Sequence, residues 1–524
     1  LCTDVFDQFM DNNNLYQLAL SDAPDEEILQ AFIKAQLPDQ FIDDFKTFFE
    51  AIRHPIAIRS SSLLEDSHYQ PFAGIYSTYM IPYLDDKDEM LRMLAAAIKS
   101  VYASVYFKDS KAYMTATRNV IDQEKMAVIL QEVVGKQYGD HFYPNFSGVL
   151  RSINYYPLGY EKSEEGIASL ALGLGKYIVD GGQTLRVSPY HPAQVLQTSD
   201  MEIALRQTQT QFYALDMKRV GVDFKVDDGF NILKLKVKDA ENDGALNFIA
   251  STYDANDRVI RDGLYDGGRK IVSFNGVLRH GVFPLPELLK LSMHHGADSM
   301  RRPVEIEFAC TLNDDRTGEF YLLQIRPIVD SKQVLDQDIM TIPDDKCLLR
   351  SHNSLGHGVS DDIVDVVYVK TDENFTASDN PVVAMEVERI NKKFLADGKN
   401  YVLVGPGRWG SSDSWLGVPV KWSHISAAKL IVETTLKNYS VDPSQGTHFF
   451  QNLTSFGVGY FTIDENKGMG FFRKEILDAM PAVEETPHVR HVRFSKPLHI
   501  MMDGMKQEGL VICDTEDAKG NDAR

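Results

Sequence analysis

Apolar residues recur at three- and four-residue spacing in VFDQFMDNNNLYQLAL (residues 5–20) and DEEILQAFIKAQL (25–37), which predicts helices near the start of the chain. EMLRMLAAAIKSVYASVY (89–106) predicts a longer amphipathic helix of the same kind. In KMAVILQEVVG (125–135) the pattern changes to a run rich in Val, Ile and Leu, the mark of a buried strand. FSGVLRSINYY (146–156) and NILKLKVKD (231–239) read as further strands. PLPELLKLSMHHGADSM (284–300) predicts a helix with proline near its start and Leu285, Leu288 and Leu289 on one face. It leads into PVEIEFACTLNDDRTGEFYLLQIRPIV (303–329), two antiparallel strands joined by a polar turn around Asn313 to Gly318.

A polar stretch follows, from about Ser331 to Asp379, and reads as irregular chain holding a domain boundary. Beyond it, strands such as KNYVLVG (399–405) and VRHVRFS (489–495) mix with helices such as GFFRKEILDAM (470–480), predicting a second α+β domain. The domain reading is therefore 1–330, a 331–379 linker, and 380–524.

Composition narrows the function classes. The apolar share of 44% and charged share of 25% are those of a globular protein. No apolar run reads as long enough to cross a bilayer, and no signal peptide is evident, so neither a membrane partner nor export is expected. The chain starts at Leu1, as a fragment or processed piece would. Cys2, Cys310, Cys347 and Cys513 lack metal-ligand spacing and read as reduced thiols in a cytoplasmic protein. The net charge of −21 argues against a nucleic-acid partner. It leaves a nucleotide open, since one nucleotide needs only a few local cations.

The chemistry-bearing positions cluster in a few stretches. Glu305 and Glu307 alternate along one strand of the hairpin and share a face, as do Gln324 and Arg326 on the other. Two carboxylates, an amide oxygen and a guanidinium can thus meet, a donor set suited to Mg²⁺ and a phosphate. The same pattern also fits an exposed hairpin face with cross-strand Glu–Arg pairing. In IAIRSSSLLEDSHYQPFAGIYSTY (56–79), Arg59 and Ser60, Ser61 and Ser62 could cradle an anion, or Arg59 could pair with Glu65 or Asp66. LALGLGKYIVDGGQTLRVSP (170–189) supplies Gly173, Gly175, Gly181 and Gly182 for close backbone approach, although most glycine-rich loops are only turns.

Taken in order, IAIRSSSLLEDSHYQPFAGIYSTY, MAVILQEVVG…SGV, LGLGKYIVDGG…VSP and VEIEFA…LLQIRP resemble the successive motifs of the ATP-grasp-like domain of phosphoenolpyruvate synthase and pyruvate phosphate dikinase. Rifampin phosphotransferases and glucan, water dikinases share that domain. The resemblance covers roughly residues 1–330. It implies an α+β fold: a two-lobed, ATP-grasp-like nucleotide-binding domain followed by a smaller α+β domain. It further implies ATP and Mg²⁺ as cofactors and phosphate transfer through a histidine to a small acceptor, pyruvate by family name. Arg59 would contact the transferring phosphates, with Arg326 on the γ-phosphate side. Gln131, Val133 and Val134 would line the adenine, strand backbone reading the base edge. Glu307 and Gln324 would hold the metal, with Glu305 close by where the family usually has Asp.

Two departures stand out. The family's N-terminal glycine-lysine motif has no counterpart, so the chain reads as starting after it. Fewer than 200 residues follow the domain, too few for a pyruvate-binding barrel. His424, in VKWSHIS, stands in the right chain order for a carrier histidine but lacks the glycine pair, so a structural role is open too; His448 in QGTHFFQNL is a second candidate. VGPGRWGSSD (404–413) could bind an anion through Arg408 and backbone amides, or be a conformationally demanding loop. A nucleotide-binding regulatory module is the alternative to a phosphotransferase, and a dikinase with a different acceptor is a third reading.

Overall fold

A computed structural model describes residues 1–62, 76–117, 124–154, 161–199, 201–221, 223–328, 339–371, 375–411, 413–435, 458–504 and 506–513. The chain forms two compact units. The first comprises Leu1–Asn154, Glu164–Val179 and Gln183–Ile328; the second comprises Tyr155–Ser163, Asp180–Gly182 and Val329–Arg524.

Among the described residues, four antiparallel sheets build the first unit. One contains β1 (Ile56–Ser62), β2 (Tyr79–Ile81) and β3 (Met126–Glu132), with β1 central. A second contains β4 (Lys136–Tyr138), β5 (His141–Tyr143), β9 (Gln211–Asp216) and β10 (Ile232–Lys236). The largest runs β15 (Gly318–Pro327), β14 (Val304–Leu312), β6 (Phe146–Arg151), β7 (Ile167–Ala171) and β8 (Leu185–Val187). A small sheet of β11 (Ala250–Asp254), β12 (Val259–Asp262) and β13 (Arg269–Val272) completes the set.

The helix Lys87–Ser104 starts at Asp86, whose side chain accepts from the N–H groups of Asp88 and Glu89. Burial of Met90, Leu94, Ile98 and Tyr102 makes it a core element. The stretch Lys87–Met114 is long and apolar enough to cross a membrane by length and composition, against the sequence expectation. Yet 78% of its most apolar window is buried inside the protein, as in a core helix. The helix Leu285–Met300 buries Leu285, Leu289 and Met293, the face its spacing predicts.

The hairpin of β14 and β15 is as expected, with one addition that decides where its side chains point. Glu307 pairs with Gln324 but Phe308 pairs with Leu322, so Leu323 is an extra residue, a β-bulge. Phe320 and Ile325 lie five positions apart and would face opposite ways on a regular strand. Both pack on the same core, Phe320 with its ring stacked 4.9 Å from that of Phe308. The bulge corrects the parity and leaves Gln324 and Arg326 together on the other face. Gly148, beneath the Phe308 ring, has no room for a side chain, since a Cβ there would lie 2.1 Å from Phe308 Cζ.

In the second unit, β16 (Cys347–Ser351), β17 (Ser354–Leu355) and β18 (His357–Val369) occupy part of the stretch read as irregular linker. They belong to a ten-stranded sheet, and burial of Leu348, Leu349, Val366 and Tyr368 gives the reason. Residues 351–362 look polar because Ser351, Asn353 and Ser354 are polar residues buried in the sheet, while Val359, Asp361 and Asp362 lie exposed at an irregular stretch of β18. The sheet order is β17, β23, β22, β19, β18, β26, β27, β16, β24, with β25 also on β26. Here β19 is Tyr401–Pro406, β22 Ala428–Thr434, β23 Gly459–Ile463, β24 Gly470–Phe472, β25 Ala482–Glu485, β26 Val489–Asp503 and β27 Glu508–Ile512. The strands β18, β19, β22 and β23 run parallel. A helix, Asn380–Ala396, connects the first two of them and buries Val383, Val387, Ile390 and Phe394.

Phe308→Ala tests the packing that the bulge serves. It is expected to cost about 3–5 kcal/mol in urea denaturation followed by far-UV circular dichroism, and a loss under about 1 kcal/mol would show that the ring does not anchor the hairpin.

Candidate functional site

In the first unit, Arg59 lies on the central strand β1, opposite Ile129 of β3. Its Nη1 donates to Gln131 Oε1 at 3.0 Å, and its Nη2 donates to Gln324 Oε1 on β15. The same Gln324 Oε1 accepts from Arg326 Nη2 at 2.7 Å. Four side chains from three strands and two sheets are therefore joined through amide oxygens. Two guanidiniums share a single oxygen that carries no net charge, so neither cation is neutralised by it. A cleft of about 210 Å³ opens beside them, lined by Arg59, Ser60, Ser61, Ile129, Leu130, Gln131, Leu323 and Gln324.

Across the large sheet, the register sets side chains in rows. Arg151 on β6, Glu305 on β14 and Arg326 on β15 form one row. Val149, Glu307 and Gln324 form the next. Arg151 Nε donates to Glu305 Oε2 at 2.6 Å, with both side chains less than one-tenth exposed. Glu307 is half-buried. Glu305 thus shows the Glu–Arg pairing weighed from sequence, although its partner is Arg151 rather than a residue of the hairpin. Arg151 escaped the sequence reading. The available signal was a charged residue at the parity of Val149 in an otherwise apolar strand.

Other expected positions lie in or beside the core. Val133 is buried in the core and its N–H donates to the Pro55 carbonyl at 2.8 Å, so that donor is occupied by the chain itself. Val134, beside it, is half-buried. Gly173 has φ +86°, and a Cβ there would lie 2.6 Å from the Tyr213 carbonyl oxygen. Ser147 Oγ donates to the Gly173 carbonyl and Leu174 N–H to that of Tyr213, so close packing on β9 accounts for this glycine. Glu65 and Asp66 lie outside the described residues, as does His448.

In the second unit, His424 ends a short turn, Trp422–His424, where its Nδ1 accepts the Lys421 N–H at 3.2 Å. The GPGRWG stretch forms β20 (Arg408–Trp409), paired with β21 (Gly417–Val418). It is pinned to the parallel sheet by Glu433 Oε1, which accepts the Trp409 N–H at 3.1 Å and the Tyr460 hydroxyl. The glycines fit that geometry: a Cβ on Gly405 would meet the Trp409 indole at 2.4 Å, and one on Gly417 would meet Arg408 O at 1.9 Å. Burial pushes the Glu433 carboxyl up to about 7, against opposing hydrogen bonds and the nearby Arg408 charge. Among the described residues, no group of three or more His, Cys, Asp or Glu side chains could by itself hold a metal ion.

Residues 2–346 match the family described as pyruvate phosphate dikinase, AMP/ATP-binding domain. The chain belongs to that family. It is also 28% identical over 182 residues to the "Uncharacterized phosphotransferase YvkC" of Bacillus subtilis (strain 168). That similarity covers 35% of this chain and 20% of the relative, so the chain spans about one-fifth of the curated protein it matches.

Glu433 makes the second unit sensitive to pH. Its carboxyl is held above the ordinary value of 4.5, so the stability tied to its neutral form is complete below that value and is lost as pH rises through about 7. The full effect is on the order of 3 kcal/mol. All three tryptophans, Trp409, Trp415 and Trp422, lie in this unit, so indole fluorescence reports its unfolding. Glu433→Gln keeps an acceptor for Trp409 and Tyr460 and is expected to flatten the fall in stability between about pH 4.5 and 7.5. An equally steep fall in the variant would assign the dependence to another group.

Proposed function

We propose that this member of the pyruvate phosphate dikinase AMP/ATP-binding family is an ATP-dependent phosphotransferase whose nucleotide triphosphate lies at the Arg59–Gln324–Arg326 cluster. The observation that carries the reading is that cluster: two guanidiniums from different sheets converge on one neutral amide oxygen beside an open cleft. Guanidinium forks suit phosphate oxygens, and a phosphate would supply the negative charge that the amide lacks. Arg59 and Arg326 would grip the phosphates in a two-lobed, ATP-grasp-like arrangement, while Gln131, Val133 and Val134 would border the base.

Magnesium suits the donors that are present. Mg²⁺ keeps several waters and takes only one or two protein ligands beside nucleotide phosphates, so Glu307 and Gln324 suffice without a larger acidic cluster. When bound it would neutralise charge on the transferring phosphoryl group. Gln324 Oε1 already accepts two donors, so phosphate must draw at least one arginine away before the amide can turn to a cation. That favours entry of the metal together with the nucleotide.

Transfer to a histidine and then to a small acceptor such as pyruvate is the finer reading, supported by family membership and by the phosphotransferase name of the relative. Free thiols at Cys2, Cys310, Cys347 and Cys513 accord with a cytoplasmic setting. The regulatory-module reading draws support from His424, whose Nδ1 is already engaged by backbone.

Calorimetric titration with MgATP and with AMP separates phosphate from base recognition. Arg326→Ala is expected to weaken MgATP about 10- to 100-fold, the worth of a charge-assisted contact, with AMP changed less than about threefold. An equal loss for both ligands would remove Arg326 from the phosphates. Incubation with Mg²⁺ and γ- or β-labelled ATP then reads transfer: acid-labile label that vanishes in His424→Ala supports the carrier role. Nucleotide binding without label supports the regulatory module.

A further inference from the structure

Gln131 lines the cleft from β3, and its carbonyl oxygen is given to a cation: Oε1 accepts from Arg59 Nη1 at 3.0 Å. The register explains the reach. Arg59 of β1 stands opposite Ile129 and Gln131 opposite Ala57, so the two long side chains are diagonal neighbours on one face of the sheet. The other tip of the guanidinium, Nη2, donates to Gln324 Oε1 on β15, in a different sheet. A planar fork gripped at both tips cannot rotate without breaking one of the two bonds.

Both acceptors are amides. A glutamate at position 131 would have the same length and would accept the same hydrogen bond more strongly. The strand does carry a carboxylate at the next position, Glu132, but alternation turns it to the opposite face, where its Oε1 accepts the Arg53 N–H at 3.0 Å. A carboxylate on the cleft side would offset the charge of Arg59; an amide fixes the direction of the fork and leaves that charge whole.

We propose that Gln131, beyond bordering the base, is a positioning residue that orients the Arg59 guanidinium toward the phosphates without neutralising it. The inference rests on the ATP reading above and deepens it. Gln324 Oε1 is shared with Arg326 and is the side that must loosen when phosphate and cation enter. The Gln131 bond is then the one that keeps Arg59 in place.

The test is calorimetric titration of the full chain with MgATP and with AMP. Gln131→Met keeps the length of the side chain and removes the acceptor, and is expected to weaken MgATP about three- to tenfold. Gln131→Glu keeps the acceptor and adds a charge, and is expected to weaken MgATP by more than about tenfold. AMP should change less than about threefold in both, which a general loss of cleft structure would not allow. In an Arg59→Met background, Gln131→Met should move MgATP by less than about twofold, because it acts through the arginine. The same loss in both backgrounds, or an AMP loss equal to the MgATP loss, makes Gln131 a direct nucleotide contact and overturns the proposal. Should Arg59→Met bind too weakly to measure, the two Gln131 variants decide alone: Gln131→Glu binding MgATP no more weakly than Gln131→Met overturns it. A parent that binds MgATP as tightly as Gln131→Met does overturns the positioning role and spares the ATP reading. A parent that binds neither ligand overturns that reading and the proposal together.

Discussion

One extra residue in a hairpin strand governs the arrangement of the Arg59–Gln324–Arg326 cluster and its cleft. Were Leu323 paired in regular alternation instead of bulged out, the strand that packs Phe320 against the core would turn Ile325 away from it and Gln324 and Arg326 toward it. The bulge lets the apolar and polar faces change parity partway along β15, so the core and the site are both served by one strand. Phe308 lies beside the shift, over a glycine that leaves room for its ring. Core packing and site geometry are therefore coupled at a single point of the backbone. Bulges commonly re-aim side chains, and here the re-aimed pair is the Gln324 amide, which accepts from Arg59, and the Arg326 guanidinium, which donates to the same amide.

Much of this was legible in the sequence because it depends on local period. Alternation alone places Glu305 with Glu307 and Gln324 with Arg326, and helical spacing alone gives the buried face of Leu285–Met300. Cross-sheet partners were less accessible. Arg151 pairs with Glu305 across 154 positions of chain, and nothing in either strand names the other. The bulge was hidden for a related reason: Leu322 and Leu323 are both apolar, so a period-two reading cannot tell which is the inserted residue. The strands of residues 347–369 were missed because runs such as SHNSLGHGVSDD look like linker, while their pairing is imposed by β26 and β27.

The second unit shows how a suggestive motif can be absorbed by packing. The GPGRWG stretch has the glycines and arginine of an anion loop, yet Gly405 answers to the Trp409 indole, Gly407 and Gly410 take positive φ, and Gly417 on the paired strand answers to the Arg408 backbone. Its anchor is a carboxyl buried at the end of a parallel strand, tied to Trp409 and Tyr460. Glycine content reports that backbone comes close to something without saying what. Gly173 in the first unit makes the same point against β9, so in this protein the glycine-rich loops were weaker guides than paired charges on strands.

Charge magnitude and charge placement pull in opposite directions here. A net charge of −21 repels a polyanionic nucleotide at long range. At physiological salt that repulsion is screened beyond about 8 Å, so the local field decides capture. Arg59 lines the cleft and Arg326 lies behind it on the same Gln324 oxygen, and the carboxylate beside Arg326 in register, Glu305, is already paired to Arg151. Committing Glu305 inward lowers the negative charge that a phosphate would meet at Arg326. On the proposed nucleotide reading, the buried ion pair would help an acidic protein keep an anion-receptive site with so few cations.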